Sequence, residues 1–129
     1  MPAASSARGY VEAMFFTECN ADNPELENKT FADLAPETLA QIESDCVAFI
    51  GMLPVDDGGN SLIDLAIENG PTSYSEASAG NDFWFTRNRH GVGFWDRGLG
   101  EAGAILTDNA RLMGEVSLYA GDDGKLYLA

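Results

Sequence analysis

Basic side chains are scarce in this chain. Seven Lys and Arg stand against twenty-one Asp and Glu, there is one histidine, and the net charge is −14. Such a surface repels phosphate backbones and attracts basic protein surfaces, which argues against nucleic acid as a partner. Cysteine is just as rare. Cys19 and Cys46 are too few for a disulfide framework and lack the close spacing of a zinc knuckle. They read as two buried thiols, with a disulfide between them as the alternative. A single histidine leaves no histidine pair for a metal site, and the Gly-x-Ser-x-Gly and phosphate-loop patterns are missing. No catalytic residue, metal ligand or cofactor is therefore assigned, and the chain is expected not to be an enzyme. No apolar run is long enough to span a bilayer and the start shows no signal-peptide pattern, so the expectation is a cytoplasmic protein with no membrane partner.

What is present suffices for one domain over residues 1–129. A domain of this size buries about two-thirds of its unfolded surface, and 45% of the residues are hydrophobic. The charge is uneven. Fourteen acids face two basic residues up to residue 80, whereas seven face five beyond it.

Residues 1–7 read as a loose leader. Tyr10 to Thr17 carries a wide apolar stripe at helical spacing. Asp22-Asn23-Pro24 breaks it, because the residue before proline avoids the helical region. From Pro36, Leu39, Ile42, Cys46, Phe49, Ile50 and Leu53 recur at three- and four-residue steps and predict a helix. Pro36 suits its first turn, Glu37 complements the dipole and Pro54 stops it. Asp56-Asp57-Gly58-Gly59-Asn60 is a turn cluster without the alternating oxygen ligands of a calcium loop. Ser61 is a cap for a short helix through Ile67. Residues 72–80, rich in Ser, Ala and Gly, read as a flexible loop.

Phe83 to Arg87 and Val92 to Arg97 are rich in β-formers, with Asn88-Arg89-His90-Gly91 between them, and predict a β-hairpin. A helix from Glu101 to Met113 follows, with Gly114 at its C-cap. Val116 to Ala120 and Lys125 to Leu128, joined by Gly121-Asp122-Asp123-Gly124, predict a second hairpin. The expected fold is α+β, ordered α-α-α-β-β-α-β-β, with the helices packed on a small antiparallel sheet.

The stretch Asp82 to Gly98 resembles a family of small bacteriophage- and plasmid-encoded proteins. Their shared run has the form Asp-Phe-Trp-x-Thr-Arg-Asn-x-His-Gly-x-Gly-Phe-Trp-Asp-Arg-Gly, followed by a helix and a strand pair carrying Gly-Asp-Asp-Gly. Two positions depart from it: Asn81 stands where the family has His, and Arg89 where it has Gly. The resemblance implies a phage or mobile-element accessory protein acting in a bacterial host, and brings no settled biochemistry.

Three sets of residues are singled out. Arg87, Arg89, His90 and Arg97 form the polar tip and edge of the predicted hairpin. With Trp84, Phe94 and Trp95 nearby they resemble a stacking platform for nucleic acid, which the charge opposes. Glu37, Glu43, Asp45, Asp56 and Asp57 form an acidic surface suited to a basic host protein, as in an inhibitor of CRISPR or restriction defence. Asp82, Trp84, Trp95 and Asp96 are given structural roles, the acids pairing with Arg97 or Arg87 or capping loop N–H groups.

Overall fold

The computed structural model describes residues 3–129. Among these residues it shows α1 (Ala3–Glu18), α2 (Pro36–Gly51), α3 (Leu62–Asn69), α4 (Glu76–Arg87) and α5 (Glu101–Leu112), then β1 (Leu118–Ala120) and β2 (Leu126–Leu128). Short 3-10 turns occupy Phe31–Asp33 and Phe94–Asp96. The α+β class holds, with helices first and a hairpin last. No described helix is long and apolar enough to cross a membrane.

The hairpin predicted over 83–97 does not form. Phe83 to Arg87 end helix α4, and Phe94 to Asp96 form a 3-10 turn. The local signals for this helix are its ends. Ser75 Oγ accepts from Ser78 N at 3.2 Å, Glu76 occupies the first turn and Arg87 the last. Its buried residues are Ala79, Gly80, Asp82, Phe83, Trp84, Thr86 and Arg87. Phe83 and Trp84 point to opposite faces of a strand, but only 100° apart on a helix, where both reach the same core. Burying two such rings contributes about 2–3 kcal/mol each, which exceeds the roughly 1 kcal/mol span of β-propensity. The flexible loop read over 72–80 is likewise corrected, since Glu76 to Gly80 belong to α4. So is the leader: Ala3 to Ala7 are helical, while Met1 and Pro2 lie outside the described residues.

The other elements follow their sequence signals closely. Pro36 opens α2, Ser61 Oγ accepts from Asp64 N at 3.3 Å to cap α3, and Gly114 with φ +80° follows α5. The Gly121–Gly124 turn closes with Gly121 N donating to Lys125 O at 2.8 Å, and Gly124 takes φ +78°. The strands pair antiparallel, with Tyr119 opposite Tyr127. This hairpin docks on the start of α2, where the buried Thr38 hydroxyl donates to Leu126 O at 2.7 Å.

Helices α1 and α4 make the most extensive contact in the chain. Glycines set their separation: a Cβ on Gly9 would collide with the carbonyl of Ala77, and a Cβ on Gly80 with the carbonyl of Ser6. Their approach seats Tyr10 against Phe83 and Trp84, with ring centroids 5.4 and 5.2 Å apart. Phe49 of α2 stacks on Phe83 at 4.3 Å and meets Phe94 at 5.8 Å. This aromatic cluster is the centre of the core, and α4 is its axis.

Candidate functional site

The last turn of α4 carries Arg87 inward. Its side chain is 3% exposed, and each of its three nitrogens donates within the fold. Nε donates to Gly114 O at 2.8 Å, Nη2 to Met113 O at 3.1 Å, and Nη1 to Asp45 Oδ2 at 2.8 Å and Tyr10 Oη at 3.2 Å. The guanidinium also lies 5.3 Å from the Phe83 ring centre. One side chain thereby ties α1, α2, α4 and the end of α5 together. Burial raises the Tyr10 hydroxyl above its ordinary pKa, so it stays protonated beside this pair.

The predicted basic tip is therefore dispersed. Arg89 is exposed in a left-handed conformation (φ +58°), with Nε 3.8 Å from Glu115 Oε1. Both of these side chains are more than 60% exposed, so the pair contributes little. His90 packs edge-on to Phe85 at 5.9 Å. Arg97 turns to Asp82 instead. Trp95 is 42% exposed under the Arg111 guanidinium, whereas Trp84 is buried and donates Nε1–H to Thr17 Oγ1 at 2.8 Å. Asp96 is exposed and accepts from Gly93 N at 3.1 Å, fixing the 3-10 turn.

Asp82 and Arg97 lie in a polar pocket of about 250 Å³ lined also by Pro71, Ser73, Tyr74, Ser78 and Asn81. Asp82 is 1% exposed. Its Oδ1 accepts from Arg97 Nε and lies 3.0 Å from Nη2, and its Oδ2 accepts from the Tyr74 hydroxyl at 2.8 Å. Burial pushes the carboxyl above its usual range, and the bonds from Arg97 and Tyr74 oppose that shift. The Tyr74 hydroxyl is raised by burial and by the neighbouring carboxylate, which keeps it a donor. Both Asp82 oxygens are thus engaged from within the fold. Asn81 Oδ1 differs: it is the buried side-chain atom without a hydrogen-bond partner among the described residues. Tyr74 and Asn81 were not expected to line a site, because both fell in or beside a segment read as loop. A lone tyrosine in a Ser/Ala/Gly-rich run was the available signal.

The acidic residues also divide. Asp45 is committed to Arg87 and accepts from Gln41 Nε2 at 2.7 Å. Asp56 closes its own turn, accepting from Gly58 N and Asn60 N at 2.9 Å each, and these bonds lower its pKa. Glu37, Glu43 and Asp57 remain exposed. Glu43 stands at the edge of a groove of about 510 Å³ between α1 and α2, floored by Ala7, Val11, Phe15, Phe31 and Leu39. Arg8 and Glu12 complete its rim, and Phe31 is 58% exposed. Among the described residues, no cluster of His, Cys, Asp and Glu is arranged to hold a metal ion.

No protein-family model, curated protein or solved structure matches this chain.

Proposed function

We propose that this chain is a non-enzymatic binding protein that seats a basic, partly apolar segment of a bacterial host protein in the groove between α1 and α2. The carrying observation is the groove itself: an apolar floor with Glu12 and Glu43 on its rim, against a single basic rim residue, Arg8. The surrounding field points the same way. Among the described residues fifteen acids are exposed, against four basic side chains, because Arg87 and much of Arg97 and Lys29 are drawn into the fold. Apolar contact supplies affinity at such a face, and the carboxylates select partners with Lys or Arg beside the apolar residues. The inward turn of Arg87 weakens the nucleic-acid reading, since the side chain is 3% exposed and each guanidinium nitrogen already donates within the fold.

The resemblance of residues 82–98 to phage- and plasmid-encoded proteins supports a host protein as partner, in the bacterial cytoplasm, and the inhibition of a host defence as the role. The test is capture from nuclease-treated bacterial lysate by the tagged chain at low and high salt. The expected result is one host complex with a basic surface, released at high salt and lost from the Glu12→Lys, Glu43→Lys double variant. Capture indifferent to salt and to charge reversal would refute the reading, because the screening length falls from about 10 Å at 0.1 M salt to about 3 Å at 1 M.

A further inference from the structure

On the groove reading above, on which this inference rests, we propose that the segment seated between α1 and α2 is an amphipathic helix, with one apolar stripe and lysine or arginine on both flanks of it. Seven of the eight lining residues belong to α1 or α2, and Phe31 opens a 3-10 turn. Inside a helix the main-chain groups bond one another, and the two lining residues nearest the helix ends are paired as well. Leu39 N donates to Ala35 O at 3.2 Å, and Phe15 O accepts from Cys19 N at 2.9 Å. The seven helical residues thus offer no main-chain donor or acceptor to an extended segment. Its own N–H and C=O groups would be desolvated on the apolar floor without partners. A helix brings its backbone already paired.

The length of the groove sets the occupant's period. Ala7, Val11 and Phe15 follow one another at single-turn steps along α1, as Leu39 and Glu43 do along α2. At about 1.5 Å per residue the floor from Ala7 to Phe15 is about 12 Å long. A helix lying along it covers that length with apolar residues at i, i+3 or i+4, and i+7, the usual anchors of a helix held in a groove. Charge sets the flanks. Glu12 stands on the α1 wall and Glu43 on the α2 wall, both exposed. Neither forms an ion pair among the described residues. One carboxylate on each side matches a cation on each side of the apolar stripe, carried there on the apolar stem of Lys or Arg. A second copy of this chain lacks such a helix, since α1 to α5 hold at most one basic residue each.

The experiment titrates the full chain with a fluorescein-labelled peptide of Leu, Ala and Lys, its leucines at three- and four-residue steps and its lysines on both flanks. A peptide of about four turns is a marginal helix in water, so helix formed on binding adds to the far-UV circular dichroism of the mixture. The expected result is saturable binding with that gain. A proline at the peptide's centre, or scrambling of the same residues, should weaken binding by about tenfold or more. Glutamate in place of its lysines should do the same, as should the Glu12→Lys, Glu43→Lys double variant and Phe31→Ala, each at an exposed position of the chain. The helix is overturned if the proline and scrambled peptides bind as tightly as the periodic one, or if binding adds no helical signal; with binding still lost from the double variant, the acidic groove stands. The groove reading itself fails if no peptide binds saturably, or if binding is indifferent to the double variant and to Phe31→Ala.

Discussion

The seam between α1 and α4 gives the sharpest test of how the fold is held. Alanine is favoured over glycine inside a helix by about 1 kcal/mol, so propensity alone says that Gly9→Ala and Gly80→Ala stabilise the chain. The geometry reverses the sign. A Cβ on Gly9 would sit 2.8 Å from Ala77 Cα, and a Cβ on Gly80 would sit 2.8 Å from Tyr10 N. Both obstacles are backbone, so no rotamer relieves them, and the helices must part. A gap of about 0.5–1 Å already forfeits a quarter to a half of the dispersion well for each contact along the seam. Overpacking costs about 1–3 kcal/mol, and an obstacle of unyielding backbone puts these two sites in the upper part of that range, at about 2–3 kcal/mol. With the propensity gain subtracted, each variant should be less stable by about 1–2 kcal/mol, or roughly 4–8 °C in Tm for a chain of this length. Gly51, the last residue of α2, is the control. A Cβ there meets nothing within 4 Å, so Gly51→Ala should raise Tm slightly, by the few tenths to about 1 kcal/mol that propensity supplies. The assay is thermal and urea unfolding followed by far-UV circular dichroism. The double Gly9→Ala, Gly80→Ala variant should lose less than the sum of the singles, since the first substitution already opens the shared seam. Seam variants as stable as the parent would refute the claim that backbone contact sets this spacing.

Three further outcomes follow from buried groups. Asp45→Ala leaves Arg87 buried without its carboxylate and should destabilise the fold by about 3–5 kcal/mol; a loss under about 1 kcal/mol in urea titrations would show that the Met113 and Gly114 carbonyls suffice to hold Arg87. Burial pushes the Cys46 thiol up to about 12 and leaves it 1% exposed, whereas Cys19 is half-buried; iodoacetamide should label native Cys19 first, and equal labelling of the two would contradict the packing. Asp82 has a folded-state pKa above its unfolded one, so its contribution to stability is complete below the unfolded pKa and declines as pH rises through the folded pKa. The stability of the parent relative to Asp82→Asn should therefore fall as pH rises above the ordinary carboxyl value of about 4, and a rise instead in parallel urea melts would mean that the Arg97 pair outweighs burial.

Much of the architecture was legible because it is written in local chemistry. The apolar steps from Leu39 to Phe49, Pro36 at the start of α2, Ser61 at the cap of α3 and the Gly121–Gly124 turn each specify their element within a few residues. The boundaries shifted slightly, α2 ending at Gly51 rather than at the proline. The cysteines are free, with Cys46 buried and Cys19 half-buried, and no disulfide joins them. The acidity that motivates the proposed partner is a property of composition alone.

What the sequence could not decide lies between Ser75 and Arg97. Phe83, Trp84, Phe85 and Thr86 alternate as a strand would and also satisfy two adjacent helical stripes, and local propensity favours the strand. The choice depends on what waits across the gap: a face of α1 bearing Gly9 that admits α4 at backbone contact, and Phe49 and Phe94 to enclose its rings. Gly9 and Phe49 come from segments distant along the chain, so no local window contains them. The same holds for the charged residues. Arg87 looks like a surface cation until Asp45, Tyr10 and two carbonyls converge on it, and Arg97 does until Asp82 is buried beside it. Sequence supplies the ions, but only tertiary packing determines which are desolvated and paired and which remain free for a partner.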